Sequence, residues 1–191
     1  MTVLFVNACV RGEASSTLAL CREYLEGVPD VEEVDLANSG LLPIDAEFVE
    51  KRARLQRAGD FSDPLFDLSK QFARADEVVV GAPYWDLSFP SVLKVYIEHC
   101  SVCDLTFHYT EDARCEGICN AKRLVYITTA GGRLEGANFG YEYFCGIARM
   151  FGIPETRLVA AEEMDVVGGD REASMEAARA EIRRLRAEAG R

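Results

Sequence analysis

Short apolar segments alternate with helical patterns along most of this chain, and this alternation constrains the fold more than any other feature of the sequence. A strand–helix alternation predicts a parallel sheet with helices on both faces, and right-handed crossovers leave few topologies. Helical patterns separate the strands at residues 18–25, 45–58, 65–73, 91–102 and 139–151, and a charged helix is predicted at 171–189. We predict strands at residues 2–8, 31–36, 77–82, 122–128 and 156–161.

Five strands in this order favour the flavodoxin-like α/β arrangement, a parallel sheet with strand order 2-1-3-4-5. Its ligand crevice lies beside the carboxyl ends of the first and third strands. The segment 104–120 is less regular: residues 106–110 alternate like an edge strand and 111–114 are typical of a turn. We therefore predict a small hairpin insertion there. The 191 residues fit one domain spanning 1–191, without a repeat or a linker.

Composition excludes several classes of protein. Of the residues, 28% are charged and the formal net charge is −11, which argues against binding to nucleic acid or to an anionic membrane surface. No apolar run is long enough to span a membrane, and the chain enters its first strand without a signal-peptide pattern. We expect a cytoplasmic protein.

The seven cysteines are an odd number and are scattered through predicted strands and helices, so we expect thiols rather than disulfides. Cys100-x2-Cys103 and Cys115-x3-Cys119 provide four thiols that could in principle hold zinc. The spacing is not a clean pair of zinc knuckles, the usual iron–sulfur runs are absent, and buried free cysteine is common. We predict no metal site.

The loop after the first strand is polar and ends in the hydroxyl residues Ser15, Ser16 and Thr17 at the start of a helix. Such residues cap helices, but with the free N–H groups of a helix N-terminus they also form an anion site. The position after the first strand favours a phosphate. No GxGxxG or Walker sequence is present, and Arg11 is the only cation in this loop.

The segment VVVGAPYWDLSFPSVLKVYIE, residues 78–98, reads as a buried strand, an aromatic loop and a helix. Pro83 and Pro90 bracket the loop, and Pro90 suits the first position of the helix. Tyr84 and Trp85 in this loop can cover the face of a flat, conjugated ligand. We include Pro83 among the predicted cofactor-binding residues.

The fourth strand ends in Thr129, Ala130, Gly131 and Gly132. Paired glycines at a strand's carboxyl end allow backbone to approach a ligand closely, although an isolated pair is more often just a turn. All three loops lie at the same edge of the predicted sheet. Together they suit a flat cofactor that carries a phosphate, and flavin mononucleotide (FMN) is the most economical candidate.

The sequence resembles the flavodoxin-like FMN-dependent NADH azoreductases and NAD(P)H:quinone oxidoreductases from Thr2 to about Val167. The matching segments are NACVRGEASST, APYWDLSFPSVLKVYIE, TFHYTEDARCEGICNAKRLVYITTAGG and the helix ending in MFGI. The first segment includes Arg11, which we also predict to bind the cofactor. The resemblance maps the family's flavin-binding loops onto Cys9, Ser15, Ser16, Thr17, Tyr84, Trp85, Asp86, Leu87, Thr129, Ala130, Gly131 and Gly132.

Two residues depart from the family pattern. Azoreductases of this family usually have P-M-Y-N-F where this chain has Pro83-Tyr84-Trp85-Asp86-Leu87. Asp86 places a carboxylate where an amide usually meets the flavin, and a negative charge there disfavours an anionic reduced flavin. Cys9 stands where a hydroxyl or small residue is common, which weakens one phosphate contact.

The resemblance implies a ping-pong reaction in which NADH or NADPH passes hydride to FMN, and a quinone, azo compound or similar flat acceptor then takes its place. The cofactor carries this chemistry, so we nominate no catalytic side chain, and we interpret His108 and Tyr109 as part of an exposed edge strand. The resemblance also implies a homodimer, with the helix after Pro90 and the helix at 139–151 as candidate interfaces. Two alternatives remain: a flavodoxin-like electron carrier for a protein partner, and a scaffold that has lost the cofactor.

Overall fold

The computed structural model describes residues 1–136 and 138–190, and the predicted alternation of strands and helices is present in it. The strands are β1 Val3–Asn7, β2 Val31–Asp35, β3 Glu77–Gly81, β4 Phe107–Tyr109, β5 Cys115–Gly117, β6 Arg123–Thr129 and β7 Glu155–Ala161. The α-helices are α1 Ser16–Leu25, α2 Ala46–Arg57, α3 Asp67–Arg74, α4 Ser91–Cys100, α5 Phe139–Phe151 and α6 Arg171–Glu188.

The central sheet has the order β2-β1-β3-β6-β7, and every pair of neighbours is parallel. Since β4 and β5 form a separate hairpin, this is the predicted 2-1-3-4-5 order, and the flavodoxin-like prediction is confirmed. Asn7 at the end of β1 is level with Asp35 on one side and Gly81 on the other. The loops after these strands therefore leave the sheet at the same edge.

The two faces of the sheet bury separate clusters of apolar side chains, as the period-2 geometry of strands requires. Leu4 and Val6 of β1 pack with Phe72 of α3 and Phe144 of α5 on one face. On the opposite face the cluster contains Val3 and Phe5 of β1, several residues of α1 and several of α6. The first face is covered by α3, α4 and α5, and the second by α1 and α6.

The predicted insertion is a two-stranded antiparallel hairpin in which β4 pairs with β5, and Tyr109 lies opposite Cys115. It sits against the C-terminal end of α5. The amide of Cys119, just after β5, donates to the carbonyl of Phe151 at 3.1 Å. His108 is half-buried and Tyr109 is exposed, as expected for an edge strand.

Helix ends differ slightly from the sequence predictions. Pro90 is the N-cap of α4 rather than its first helical residue, because its ψ of 139° is extended. The same helix ends at Cys100, two residues before the predicted end, and the Ser101 hydroxyl donates to the carbonyl of Ile97 at 2.7 Å. Gly152 caps α5 with a φ of 81°, a conformation that favours glycine. No helix in the described ranges is long and apolar enough to cross a membrane.

Gly81, the last residue of β3, has no room for a side chain. A Cβ atom there would lie 2.5 Å from the Cys21 sulfur and 3.2 Å from the Phe5 ring. We expect Gly81→Ala to lower the free energy of unfolding by about 2 kcal/mol, the usual cost of overpacking a core.

The Cys21→Ala background provides the control for this substitution, because it removes the sulfur that the new Cβ would meet. There we expect Gly81→Ala to cost about 1 kcal/mol less than in the wild type, as contacting residues couple. Urea unfolding of the two single variants and the double variant measures this difference. Additive costs would show that Cys21 is not the obstacle.

Candidate cofactor site

The loops after β1, β3 and β6 meet in a cleft at the carboxyl edge of the sheet. Nine of the predicted site residues line it, together with three that the sequence did not indicate. The predicted ones are Arg11, Ser15, Ser16, Pro83, Tyr84, Trp85, Thr129, Ala130 and Gly131; the additional ones are Met164, Asp165 and Arg171.

The loop after β1 makes a short 3-10 turn, Gly12–Ala14, and enters α1 through Ser15. The Ser15 hydroxyl accepts a hydrogen bond from the amide of Leu18 at 3.3 Å, so this residue caps the helix. The first N–H groups of a helix have no carbonyl partner within it. The amides of Ser16 and Thr17 are therefore available to an acceptor at the positive end of the α1 dipole.

Thr17 is completely buried and joins two of the loops instead of facing the cleft. Its hydroxyl lies 2.7 Å from the hydroxyl of Thr129 at the end of β6. This contact fixes the start of α1 against the third loop. Thr17 thus does not line the cleft, but its contact with Thr129 holds two of the cleft loops together.

Cys9 also lies beneath the cleft, only 2% exposed. Its amide donates to the side-chain oxygen of Asn7 at 2.9 Å, and its sulfur is 3.6 Å from the carbonyl oxygen of Gly81. Hydrogen bonding with Cys21 lowers the pKa of the Cys9 thiol, whereas burial raises the pKa of Cys21 well above its usual range. The Cys9 side chain therefore belongs to the core and does not line the cleft.

The loop after β3 folds into a tight turn closed by Trp85 and Ser88, whose amides and carbonyls pair at 3.2 and 2.7 Å. The two residues between them, Asp86 and Leu87, have φ values of 49° and 66°. Aspartate, like asparagine, tolerates this left-handed conformation better than most residues, and leucine does not. Both side chains are exposed at the tip of the turn, outside the lining of the cleft, so the carboxylate of Asp86 is solvated.

The loop after β6 is held by backbone hydrogen bonds to the segment after β7. The amides of Met164 and Asp165 donate to the carbonyls of Ala130 and Gly131 at 3.0 and 3.1 Å. A Cβ atom on Gly131 would lie 2.6 Å from an oxygen of Asp165. Glycine therefore allows this close approach, while Gly132 faces open space and does not line the cleft.

Arg171 reaches the cleft from the first residue of α6. Its guanidinium donates to the hydroxyl of Ser16 at 2.7 Å, across 155 positions of sequence. From sequence, the charges of this helix are typical of a solvated face, and Arg11 is the cation of the first loop. No local pattern distinguishes Arg171 from the other arginines of α6, so its role depends on the fold.

The residues that line the cleft form two chemical groups. The first comprises helix amides, the hydroxyls of Ser15 and Ser16, and the guanidiniums of Arg11 and Arg171, a donor set that matches a phosphate ester. The second comprises the aromatic rings of Tyr84 and Trp85 and the glycine backbone of the third loop. The residues present therefore fit a planar cofactor with a phosphate tail.

The cysteines of the proposed zinc alternative are not gathered into a ligand set. Within residues 1–136 and 138–190 no group of three or more His, Cys, Asp or Glu side chains is arranged to hold a metal. Cys100 and Cys119 are buried, and burial raises the pKa of Cys119 to about 12. Cys115 is exposed on the hairpin.

Comparison with known proteins agrees with the fold. The family model described as Flavodoxin-like fold matches residues 1–185, and the chain belongs to this family. It is 32% identical over 180 residues to FMN-dependent NADH:quinone oxidoreductase 2 of Clostridium acetobutylicum, covering 88% of this chain and 89% of that protein. It is 29% identical over 194 residues to FMN-dependent NADH:quinone oxidoreductase of Coprothermobacter proteolyticus, covering 96% of each.

Solved structures are similar over almost the whole chain. Azoreductase AzrA superimposes with a TM-score of 0.83 at 25% identity, covering 97% of this chain and 98% of that one. An FMN-dependent NADH-azoreductase from Bacillus anthracis, solved in complex with FMN, has a TM-score of 0.83 at 20% identity and full coverage of both chains. At 20% identity, the second similarity shows a shared fold.

Proposed function

We propose that this protein is an FMN-dependent oxidoreductase that transfers electrons from NADH to quinones or azo compounds. The observation that carries the proposal is the cleft itself, where an anion-binding helix end and an aromatic loop converge at the carboxyl edge of the sheet. The sequence relatives are named FMN-dependent NADH:quinone oxidoreductases, and the structural relative AzrA is an azoreductase. These names support FMN as the cofactor and NADH as the donor.

The phosphate of FMN would be held at the start of α1. The amides of Ser16 and Thr17 and the hydroxyl of Ser16 supply donors, and Arg11 supplies positive charge. A phosphate at a helix N-terminus also gains from the helix dipole. The proposed phosphate contacts are thus mainly backbone amides and hydroxyl groups, and the guanidinium of Arg11 supplies the positive charge.

The isoalloxazine ring would lie against Tyr84 and Trp85, with the backbone of Thr129, Ala130 and Gly131 along its edge. Trp85 is 43% exposed, so its ring is available to contact a flat ligand. When bound, FMN supplies the capacity to accept two electrons as hydride and to pass them on. The chain would bind and orient the ring, and donor and acceptor would reach it from the open side of the cleft.

Because donor and acceptor would reach the same open side of the cleft, we propose that they bind there in turn, which is a ping-pong scheme. Quinones and azo compounds are flat and can stack on a ring in the same manner as nicotinamide. No proton-transfer side chain needs to be assigned for the electron transfer itself.

We further propose that the protein is a homodimer in the cytoplasm. Trp85, Leu87 and Phe139 are 43%, 51% and 50% exposed, and the amide of Phe139 donates to the carbonyl of Leu87 at 3.2 Å. Adjacent exposed apolar groups at the cleft mouth support an interface with a second copy. All seven cysteines are free thiols, which is consistent with a reducing compartment.

The visible absorption spectrum of the purified protein tests the proposed activity. We expect flavin bands that bleach when NADH is added without oxygen and return when a quinone follows. A parallel titration with NADPH serves as the control for the donor, and we expect slower bleaching. The same titration of a sample loaded with riboflavin shows how a flavin with the same ring but no phosphate behaves in the cleft.

Three other outcomes would change the assignment. Bound flavin that neither nucleotide bleaches would favour the electron-carrier alternative, which the net charge of −11 also suits. A protein that stays colourless after incubation with FMN would contradict the cofactor and favour the scaffold alternative. A monomer by light scattering at micromolar concentration would contradict the dimer but leave the activity intact.

A further inference from the structure

Arg171 occupies a position that the fold alone explains poorly. It is the first residue of α6, its side chain is exposed, and its guanidinium crosses to α1 to donate to Ser16 at 2.7 Å. It also lines the cleft beside Ser15 and Asp165. An exposed arginine gains little from a neutral hydroxyl, so stability alone gives no reason for this placement.

The charge environment of Arg171 differs from that of every other arginine in α6. Within the described ranges, neither Arg171 nor Arg11 has a carboxylate within 4.0 Å, although the protein carries 32 acidic residues. The remaining arginines of α6 face carboxylates: Arg179 faces Glu23 and Glu172, Arg183 faces Glu176, Arg184 faces Glu181, and Arg186 faces Glu26. Two unneutralised guanidiniums thus border one helix N-terminus in a strongly acidic protein.

Arg171 also lies at the wrong end of its own helix. The N-terminus of a helix carries the positive end of the dipole, where acidic residues stabilise and basic residues destabilise. The adjacent residues follow the rule, since Asp170 caps α6 and Glu172 lies in its first turn. A cation held against its helix dipole and without a counterion is typical of a residue kept for binding.

We infer that Arg171 recognises the phosphate of the cofactor and determines the preference for FMN over riboflavin. This inference rests on the proposed function, and it assigns to the C-terminal helix a part of the site that the three loops do not contain. The phosphate would lie among the Ser16 amide, the Ser16 hydroxyl and the Arg171 guanidinium. Cofactor binding would then also hold the start of α6 against the start of α1.

Arg171→Ala tests this inference in the full-length chain freed of bound flavin. We expect the dissociation constant for FMN to rise by about tenfold or more, the range for losing a hydrogen bond to a charged group. Riboflavin has the same ring without the phosphate, and its dissociation constant should change less than about twofold. Fluorescence quenching of each flavin on binding measures both constants.

Two further variants separate recognition from structural damage. Arg171→Lys keeps the charge without the planar guanidinium and should retain part of the preference for FMN. Arg183→Ala removes an arginine of the same helix that pairs with Glu176 and should leave both constants unchanged. Without flavin, Arg171→Ala should unfold at the same temperature as the wild type or higher, since it removes a cation from a helix N-terminus.

An equal weakening of FMN and riboflavin by Arg171→Ala would overturn the inference, because a general disturbance of the cleft would then explain the loss. An unchanged FMN constant would also overturn it while leaving the proposed function intact. If the wild-type chain binds neither flavin, the proposed function and this inference fail together. A lower unfolding temperature of flavin-free Arg171→Ala would indicate a structural role instead.

Discussion

Ser16→Asp is expected to weaken FMN binding by about 100-fold or more while making the flavin-free protein slightly more stable. The new carboxylate would stand where the phosphate is proposed to lie. At an effective dielectric constant of about 20, two like unit charges about 4 Å apart repel by about 4 kcal/mol, and a loss of about 2.7 kcal/mol already corresponds to 100-fold. The carboxylate would also neutralise Arg171, which now donates to the Ser16 hydroxyl.

The stability of Ser16→Asp should change in the opposite direction. Ser16 is the first residue of α1, and a carboxylate there interacts favourably with the helix dipole by about 0.3–1 kcal/mol. For a chain of this size we expect the flavin-free unfolding temperature to rise by about 1–3 °C. Differential scanning calorimetry of the flavin-free protein and an FMN titration measure the two effects.

Ser16→Ala is the matched control for this prediction. It removes the hydroxyl without adding charge, so FMN binding should weaken by only about tenfold and the dipole gain should be absent. If Ser16→Asp bound FMN as tightly as Ser16→Ala, the phosphate could not lie at the start of α1. The site would then have to be sought elsewhere along the carboxyl edge of the sheet.

The parts of the candidate site that can be predicted from sequence are those with a recognisable local pattern of residue types. A hydroxyl cluster before a helix, two prolines around aromatic residues and a glycine pair after a strand are each visible within about ten residues. The topological rule then brings the three loops to one edge. Arg171 is different, because it lies 155 residues from Ser16 and the contact exists only once α6 has packed beside α1.

Side-chain direction is a second feature that depends on the fold. The loop and helix start were located correctly, but Cys9 and Thr17 turn into the core while Ser15 and Ser16 face the cleft. The directions of the Ser15, Ser16 and Thr17 side chains depend on the path of the 3-10 turn that precedes them, Gly12–Ala14. Hydropathy does not distinguish Thr17 from Ser15 and Ser16, so the pattern identifies the loop without identifying which hydroxyls face the cleft.

Asp86 shows how backbone geometry changes the meaning of a substitution. From sequence, a carboxylate in place of the family's usual asparagine suggested an effect on the charge of the reduced flavin. In the structure the residue occupies a left-handed position at an exposed turn, with a φ of 49°. Asparagine and aspartate both suit that conformation. The geometry of the turn therefore explains why either residue is found at this position, and no contact with the flavin ring is needed.

The hairpin formed by β4 and β5 was also predicted, but its attachment was not. Gly117 at the end of β5 packs directly against the backbone of Phe151 and Gly152 at the end of α5. A Cβ atom on Gly117 would lie 1.9 Å from the Gly152 nitrogen and 1.9 Å from the Phe151 carbonyl carbon. Both obstacles are backbone atoms, which cannot rotate away as a side chain can.

Gly117→Ala is therefore expected to lower the free energy of unfolding by about 3 kcal/mol or more, at the upper end of overpacking costs. The unfolding temperature should fall by about 6–12 °C. Gly146→Ala is the control: it lies within α5 with nothing within 4 Å of its added Cβ, and alanine should stabilise the helix by about 0.5–1 kcal/mol.

Hydrogen exchange distinguishes the two ways in which the structure can respond to Gly117→Ala. If the hairpin separates from α5, the amides of Phe107–Tyr109 and Cys115–Gly117 should exchange faster while the central sheet keeps its protection. If the end of α5 moves instead, the amide of Gly152 and its neighbours should lose protection. An unfolding temperature within 1 °C of the wild type, with both regions still protected, would contradict the close approach of Gly117 to α5.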